Sequence, residues 1–211
     1  MLKTTIIAAT LLSAAVAAPA MAQDTDVLSG FYGGAEVGYA KPKTKLNFTP
    51  KTGTPASGSA NKTGFDYGGF IGYGSVIGDG LYLGAEASLG AGGGKASRSL
   101  AGNKVTVDPG LRYGVAARAG LVVADDALLY AKVGLERRKL EASILGSKRK
   151  VTEKGLVYGI GYEQQLTANL AMRGELLRVR YDDKAASFAT GDKLKLDGAE
   201  TRLNLGAVIR F

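Results

Sequence analysis

The feature of this chain that most constrains its fold is an alternation of large apolar residues with small or charged ones. In the last segment, for example, Leu203 and Leu205 flank Asn204, and Ile209 and Phe211 flank Arg210. Successive side chains of a β-strand point to opposite faces, so a period of two indicates strands rather than helices. Eight such segments occur between residues 31 and 211, which predicts an all-β protein of eight strands.

The composition of the two faces predicts which of them is buried. One face carries the large apolar residues, and the other is built mainly from Gly, Ala, Ser and charged residues, with 31 Gly in the chain. A soluble barrel hides its large apolar residues and exposes its charges. Large side chains cannot fill a core beside so many glycines. We therefore expect an eight-stranded antiparallel up-and-down transmembrane β-barrel, with an apolar belt facing lipid and small and charged residues inside.

The first residues have the pattern of an export signal. Lys3 precedes a short apolar run over residues 4–19, and residues 20–22 (AMA) form a small-x-small cleavage site. We predict a signal peptide at 1–22 and a barrel domain at 23–211, with an uncleaved anchor helix as the alternative. The chain has no Cys, so it has no disulfide framework, which suits a Gram-negative envelope protein better than a small eukaryotic secreted domain.

The predicted connections alternate between short and long. Short turns fall near 78–80, 125–126 and 167–169, and long polar connections near 41–62, 91–105, 137–153 and 182–196. This pattern is typical of periplasmic turns and mobile extracellular loops. The formal net charge is +8, and the basic loop residues are Lys41, Lys43, Lys45, Lys95, Arg98, Lys148, Arg149 and Lys150. These cations are either solvated loop charges or a surface that pairs with the phosphates of lipopolysaccharide or with sulfated host glycans.

The inward face carries a balanced set of charges. The predicted lumen network comprises the acids Glu36, Asp66, Glu86, Glu136, Glu163, Glu175 and Glu200, and the bases Arg112, Arg118, Lys132, Arg138, Arg173, Arg202 and Arg210. The interior of an eight-stranded barrel is just wide enough for side chains to fill, so these charges must pair. We interpret them as a salt-bridged plug. The alternative is a charged ion path, for which a single sign of charge would be more typical.

One residue disturbs the alternation. Arg178 has outward parity if Arg173 and Glu175 point inward. Charge on the lipid face is costly near the middle of the membrane and tolerated at its edge. Either a bulge at Leu176–Leu177 switches the faces, or Arg178 lies above the membrane at the outer rim, which is the interpretation we favour.

Several short motifs resemble those of one family. They are residues 30–34 (GFYGG), 69–73 (GFIGY), 83–86 (LGAE), 172–175 (MRGE) and 205–211 (LGAVIRF). As an ordered set they resemble the OmpA-like or opacity-type small outer-membrane β-barrel proteins of proteobacteria, the "porin family". The resemblance implies an insertion signal for the barrel-insertion machinery, formed by Leu205, Ala207, Ile209 and the terminal Phe211. Phe211 is otherwise an ordinary aromatic residue of the membrane interface.

The composition also bears on chemistry. The chain contains no His and no Cys, so it lacks the commonest general base and the thiolate metal ligands, and we expect neither an enzyme nor a cofactor. No stacking aromatics accompany the basic loops, which argues against nucleic acid. The expected role is structural support of the outer membrane of a Gram-negative bacterium, or surface interaction. A narrow porin-like channel and an adhesin or surface antigen remain as alternatives.

Overall fold

The computed structural model describes residues 27–49, 56–60, 62–94, 96–100, 103–144, 147–182, 184–187 and 193–211. The predicted signal peptide at 1–22 lies outside these residues and stays a prediction. In the described part of the chain, no helix is long and apolar enough to cross a membrane.

The described residues form β-strands joined by turns. The strands are β1 Gly30–Thr49, β2 Ala56–Ala60, β3 Gly64–Ile77, β4 Leu81–Gly92, β5 Ala96–Leu100, β6 Asn103–Ala124, β7 Ala127–Ile144, β8 Ser147–Gln165, β9 Leu170–Tyr181, β10 Lys184–Ser187 and β11 Lys193–Arg210. Eight of them are long, and β2, β5 and β10 are short strands that pair only with the ends of β1, β6 and β11.

The eight long strands close into a barrel. Neighbours in the chain are neighbours in the sheet, in the order β1-β3-β4-β6-β7-β8-β9-β11, and every pairing is antiparallel. The barrel closes where β1 pairs with β11, with Tyr32 opposite Arg210 at one end and Thr49 opposite Lys193 at the other. The predicted eight-stranded antiparallel up-and-down barrel is therefore confirmed.

The two faces of the wall differ in polarity as the alternation predicts. On β1, Phe31 is 66% exposed and its neighbour Tyr32 only 2%, and on β3 the exposed fraction of Ile71 is 69%. Large apolar side chains cover the outside of all eight long strands. An apolar exterior around a charged interior is the arrangement of a transmembrane barrel.

The strands are longer than predicted, and this corrects the loop boundaries. The hairpin of β7 and β8 stays paired as far as Ile144 opposite Ser147, inside the connection predicted as a mobile loop at 137–153. Likewise, β1 stays paired with β11 as far as Thr49. Backbone pairing between strands needs no apolar side chain. The alternation of apolar with small or charged residues, in contrast, is visible in the sequence only where one face of the strand contacts lipid.

The basic residues predicted in loops consequently lie mostly on strands. Lys41, Lys43 and Lys45 belong to β1, Arg98 to β5, and Lys148, Arg149 and Lys150 to β8. The side chains of Lys41, Lys43 and Lys150 are exposed. Lys95 and the side chains of Lys45, Arg98, Lys148 and Arg149 lie outside the described residues.

The interior is less purely polar than predicted. Tyr32 and Phe70 pack with Ala171 and Val208, and a second apolar cluster contains Leu177 and Tyr181. Inward glycines make room for the aromatic rings. A Cβ at Gly72 would collide with the ring of Tyr32, which lies directly opposite it, and a Cβ at Gly161 would collide with the ring of Tyr130.

Arg178 lies on the outer face without a bulge. The alternation of buried and exposed residues continues unbroken along β9, and the register with β8 is regular, with Tyr158 opposite Arg178. The Arg178 guanidinium donates a hydrogen bond to the Thr201 hydroxyl at 2.7 Å. The alternative prediction of a bulge at Leu176–Leu177 is therefore wrong.

Candidate functional site

The lumen holds the densest set of charged side chains in the described residues. All fourteen charged residues predicted for the lumen are buried inside the barrel, none more than 9% exposed. Inward parity brings them together from all eight long strands, and β3 contributes Asp66 and β4 contributes Glu86 to this set. They form two networks, a lower one nearer the short periplasmic turns and an upper one nearer the extracellular end, which are joined through one residue.

The lower network is centred on Glu86. Lys132 Nζ donates to Glu86 Oε1 at 2.7 Å, and Arg173 Nη1 donates to Glu86 Oε2 at 2.7 Å. Lys132 also lies 3.2 Å from Glu175, and Arg173 Nη2 donates to Glu36 at 2.9 Å. Each of these two cations thus bridges two carboxylates from different strands, which ties opposite walls of the barrel together.

Arg118 is held below this centre by three tyrosines and two carboxylates. Its guanidinium lies 3.8 Å from the centroid of the Tyr130 ring, and 5.2 Å and 5.4 Å from those of Tyr32 and Tyr82. Arg118 Nη2 donates to Glu163 at 2.7 Å, and Nη1 lies 3.8 Å from Glu86. Stacking over aromatic faces is favourable for a desolvated guanidinium.

The periplasmic end of the lumen has an apolar floor. Short turns mark this end of an outer-membrane barrel, and the chain enters β1 beside them. Leu28 is fully buried and packs with Tyr82, Leu128 and Tyr130. Arg210, which forms an ion pair with Glu163, also donates to the Leu28 carbonyl at 2.7 Å. Leu28, two residues before the start of β1, therefore lies under the charged network.

The upper network is centred on Glu136 and Glu200. Arg202 donates to both oxygens of Glu136, at 2.6 and 2.7 Å, and to Glu200 at 2.5 Å. The Tyr181 hydroxyl donates to Glu136 at 2.6 Å and accepts from Arg202 at 2.8 Å. Arg138 donates to Glu200 at 2.6 Å and stacks over the Tyr181 ring at 3.8 Å.

Arg112 connects the two networks. It forms a hydrogen-bonded ion pair with Asp66, and it lies 3.8 Å from Glu136 of the upper network and 3.9 Å from Glu36 of the lower one. A polar cavity beside Arg112, bounded also by Ser88 and Lys132, has room for about one water molecule. A single network of ion pairs thus extends through most of the lumen.

Sequence reasoning missed one member of this network. Glu153 is 2% exposed and accepts a hydrogen bond from Arg138 at 2.9 Å. Glu153 lies within the loop predicted at 137–153 and was therefore not assigned to a strand. Its parity nevertheless matches that of Val157 and Glu163 on the same strand. Counting Glu153, the buried acids number eight against seven bases, so the described lumen carries one excess negative charge rather than none.

The buried charged groups of the lumen are all paired. Each of the fifteen buried charged side chains lies within ion-pair distance of at least one partner of opposite sign. Among the described residues, no group of three or more His, Cys, Asp or Glu is placed to hold a metal ion. Ion pairs of this kind hold the buried side chains in position.

The predicted insertion signal lies at the closing seam. Leu205, Ala207, Ile209 and Phe211 all point outward, and Phe211 N donates to the Phe31 carbonyl at 2.9 Å. The terminal residue therefore completes the seam between β1 and β11. Recognition of these residues by insertion machinery stays a prediction.

Comparison with solved structures finds several similar chains. Neisserial surface protein A is 18% identical, with a TM-score of 0.53 over 87% of this chain and 98% of that one. Ail of Yersinia pestis, solved with the heparin analogue sucrose octasulfate, is 16% identical over 86% and 99% of the two chains, with a TM-score of 0.46. The N-terminal barrel domain of Pseudomonas aeruginosa OprF is 16% identical over 85% and 99%, with a TM-score of 0.45. No curated protein matches the chain.

The family comparison covers nearly the whole sequence. The profile of the outer membrane protein beta-barrel domain matches residues 8–211. Together with the closed barrel and its apolar exterior, this match assigns the protein to the outer membrane of a Gram-negative bacterium. The chain belongs to the outer membrane protein beta-barrel domain family.

Proposed function

We propose that this protein is a sealed, non-catalytic barrel that supports the outer membrane and presents a basic surface, rather than a channel. The observation that carries the proposal is the lumen, in which every buried charge found in the described residues has a partner of opposite sign. A conducting pore of this width needs mobile water and a path along unpaired groups.

Two features support the seal. The first is cross-linking of the walls, since Arg173 on β9 joins Glu86 on β4 to Glu36 on β1. The second is the apolar floor, in which Leu28 closes the periplasmic end beneath Tyr82 and Tyr130. An ion entering the lumen would have to break several desolvated pairs, and each such break costs about 3–5 kcal/mol.

Planar-bilayer recording tests the seal. We expect the wild-type barrel to give no steady conductance. The double variant Glu86→Ala/Arg173→Ala removes both members of a central pair, widens the lumen and keeps its charge balance, and we expect it to give small openings. Arg180→Ala on the outer wall is the matched control and is expected to stay silent. A steady, ion-selective conductance of the wild type would support the channel alternative instead.

The terminal seam gives the second element of the proposal, that Phe211 directs insertion. Phe211→Ala removes the aromatic ring but keeps the backbone hydrogen bond to Phe31. We expect slower assembly in cells, measured as accumulation of the unfolded form, whose gel mobility does not change on heating. The barrel that does fold is expected to be as stable as the wild type. Assembly at the wild-type rate would contradict a role of Phe211 in insertion and would leave it as an ordinary aromatic residue of the membrane interface.

The surface role is proposed for the extracellular ends of the strands. Deletion of the connections at 41–62 and 137–153 tests an adhesin function through binding to host cells. We expect these deletions to shorten the paired ends of β1, β7 and β8 as well, because these strands extend into the deleted ranges. Substitutions that leave the strands intact are therefore a sharper test of the surface role, and the exposed residues of the outer barrel wall are suitable positions for them.

A further inference from the structure

We propose that one side of the outer barrel wall is a binding site for the phosphate groups of lipid headgroups in the outer leaflet. The site consists of outward-facing cations on β1, β7, β8 and β9. These residues, called the basic wall below, are Lys41, Lys43, Arg137, Lys139, Lys150, Lys154, Arg178 and Arg180. All are exposed except Arg178, which is half-buried.

The register makes the basic wall continuous. Arg137 lies directly opposite Lys154 across β7 and β8. Thr201 on β11 lies between Arg178 on one side and Lys41 on the other. Ala199, two residues further out, separates Arg180 and Lys43 in the same way. Residues opposite each other in a sheet have Cβ atoms about 5 Å apart, so the cations form a band around one side of the barrel.

Among the described residues, no carboxylate forms an ion pair with a cation of this band. In the same part of the chain, the one side-chain hydrogen bond among the eight cations joins Arg178 to Thr201. Like charges directly opposite each other destabilise a sheet, and Arg137 and Lys154 are such a pair. An anion between them removes that cost, so the arrangement favours a polyanionic ligand.

The band lies directly above the apolar belt. Leu135 lies two residues from Arg137 toward the periplasm, and its side chain is 65% exposed. Leu156 lies two residues from Lys154 in the same direction and is 45% exposed. Leu203 and Tyr39 occupy the same level on β11 and β1, at 57% and 62% exposure. The cations are therefore at the height of the headgroups, with lipid-facing side chains immediately below them.

On the opposite side of the barrel, the described outward side chains of β3 and β4 form no such band. β3 and β4 contain no Lys or Arg, and their outward residues near the extracellular end are Phe65, Tyr67 and Leu89. The asymmetry shows that a membrane barrel does not need cations at this height. The described cations of the outer wall are therefore concentrated on β1, β7, β8 and β9.

A phosphorylated lipid fits this surface better than a soluble polyanion. Its acyl chains pack along Leu135, Leu156 and Leu203 while its phosphates reach the cations above, so both parts of the surface are covered. A sulfated polysaccharide would meet the charges alone. The inference needs only a barrel embedded in a membrane, and a conducting lumen would leave it untouched.

Lipid titration of the purified full-length barrel in neutral detergent tests the site. The probes are diphosphoryl lipid A, monophosphoryl lipid A, phosphatidylcholine and heparin. We expect affinity to fall in that order for the lipids, and diphosphoryl lipid A to dissociate as salt is raised. Heparin is expected to bind more weakly than diphosphoryl lipid A. Equal affinity for diphosphoryl lipid A and phosphatidylcholine would overturn the proposal, and preferential binding of heparin would identify a soluble polyanion as the ligand instead.

The matched variants separate charge from fold. R137Q/K154Q/R178Q/R180Q removes four cations, and because each cation near an anionic membrane surface contributes about fivefold in affinity, we expect a loss of about a hundredfold or more. R137K/R178K/R180K keeps the charge and is expected to bind within about threefold of wild type. Heat-modifiable gel mobility reports folding, and K41Q/K43Q/K139Q is the second variant if the first does not fold. Unchanged binding by a folded charge-removing variant would overturn the proposal.

Discussion

Arginines occupy two opposite situations in this barrel, and one strand contains both. Arg173 and Arg180 lie on β9 an odd number of residues apart, so one points into the lumen and the other away from it. Arg173 is 3% exposed and contacts two carboxylates within 2.9 Å, whereas Arg180 is exposed and has no ion pair among the described residues. Strand parity, not residue type, decides whether a charged side chain points into the lumen or away from it.

The largest expected effect is removal of the lumen arginine. Arg173→Ala leaves Glu36 and Glu86 buried with fewer cations, and a broken buried pair costs about 3–5 kcal/mol in the free energy of unfolding. Arg180→Ala on the same strand is expected to stay within about 0.5 kcal/mol of wild type, as exposed substitutions usually do. Urea unfolding of the reconstituted barrel measures both. Equal losses would remove the distinction between the two faces.

A charge introduced on the lipid face sharpens the comparison by depth. Val133→Arg places a cation in the middle of the apolar belt, where its expected cost is about 2–4 kcal/mol. Val123→Arg is the same substitution beside the periplasmic turn at Asp125 and Asp126, where about 0–1 kcal/mol is expected. Both free energies come from unfolding in lipid vesicles. A cost that does not depend on position would mean that the belt does not face lipid.

The smallest expected effect concerns the residue that the sequence pattern concealed. Glu153→Gln removes the charge from its hydrogen bond with Arg138, which keeps Glu200 as a partner, so we expect a loss of about 1.5–3 kcal/mol. Asp182→Asn, at an exposed carboxylate near the same end of the barrel, is the matched control and is expected to change stability by less than about 0.5 kcal/mol. A Glu153→Gln variant as stable as this control would exclude Glu153 from the network.

The sequence was sufficient for the barrel and for the inward side of each strand. Alternation between lipid and lumen is strict, so Arg112, Glu136 and Arg202 were placed inside from parity alone. The pattern failed where both faces are polar. Beyond the membrane, β7 and β8 continue as a hairpin held by backbone hydrogen bonds, and nothing in the hydropathy of residues 137–153 marks it.

The pairing inside the lumen also lay beyond the sequence. Parity states that Arg118 points inward, but not that it stacks on Tyr130 and pairs with Glu163 across the barrel. Those partners depend on the register between strands, which closure of β1 on β11 fixes. The floor formed by Leu28 was missed because it precedes the first strand and has no alternation of its own.

The inside-out arrangement of the wall is the central claim, and tryptophan quenching tests it directly. The chain contains no Trp, so single Tyr→Trp substitutions report without background. Tyr158→Trp and Tyr162→Trp replace outward rings, and Tyr82→Trp and Tyr130→Trp replace buried inward ones. In vesicles of brominated lipid, we predict strong quenching of the outward pair and little quenching of the inward pair. Equal quenching of the two pairs, or the reverse order, would contradict the account.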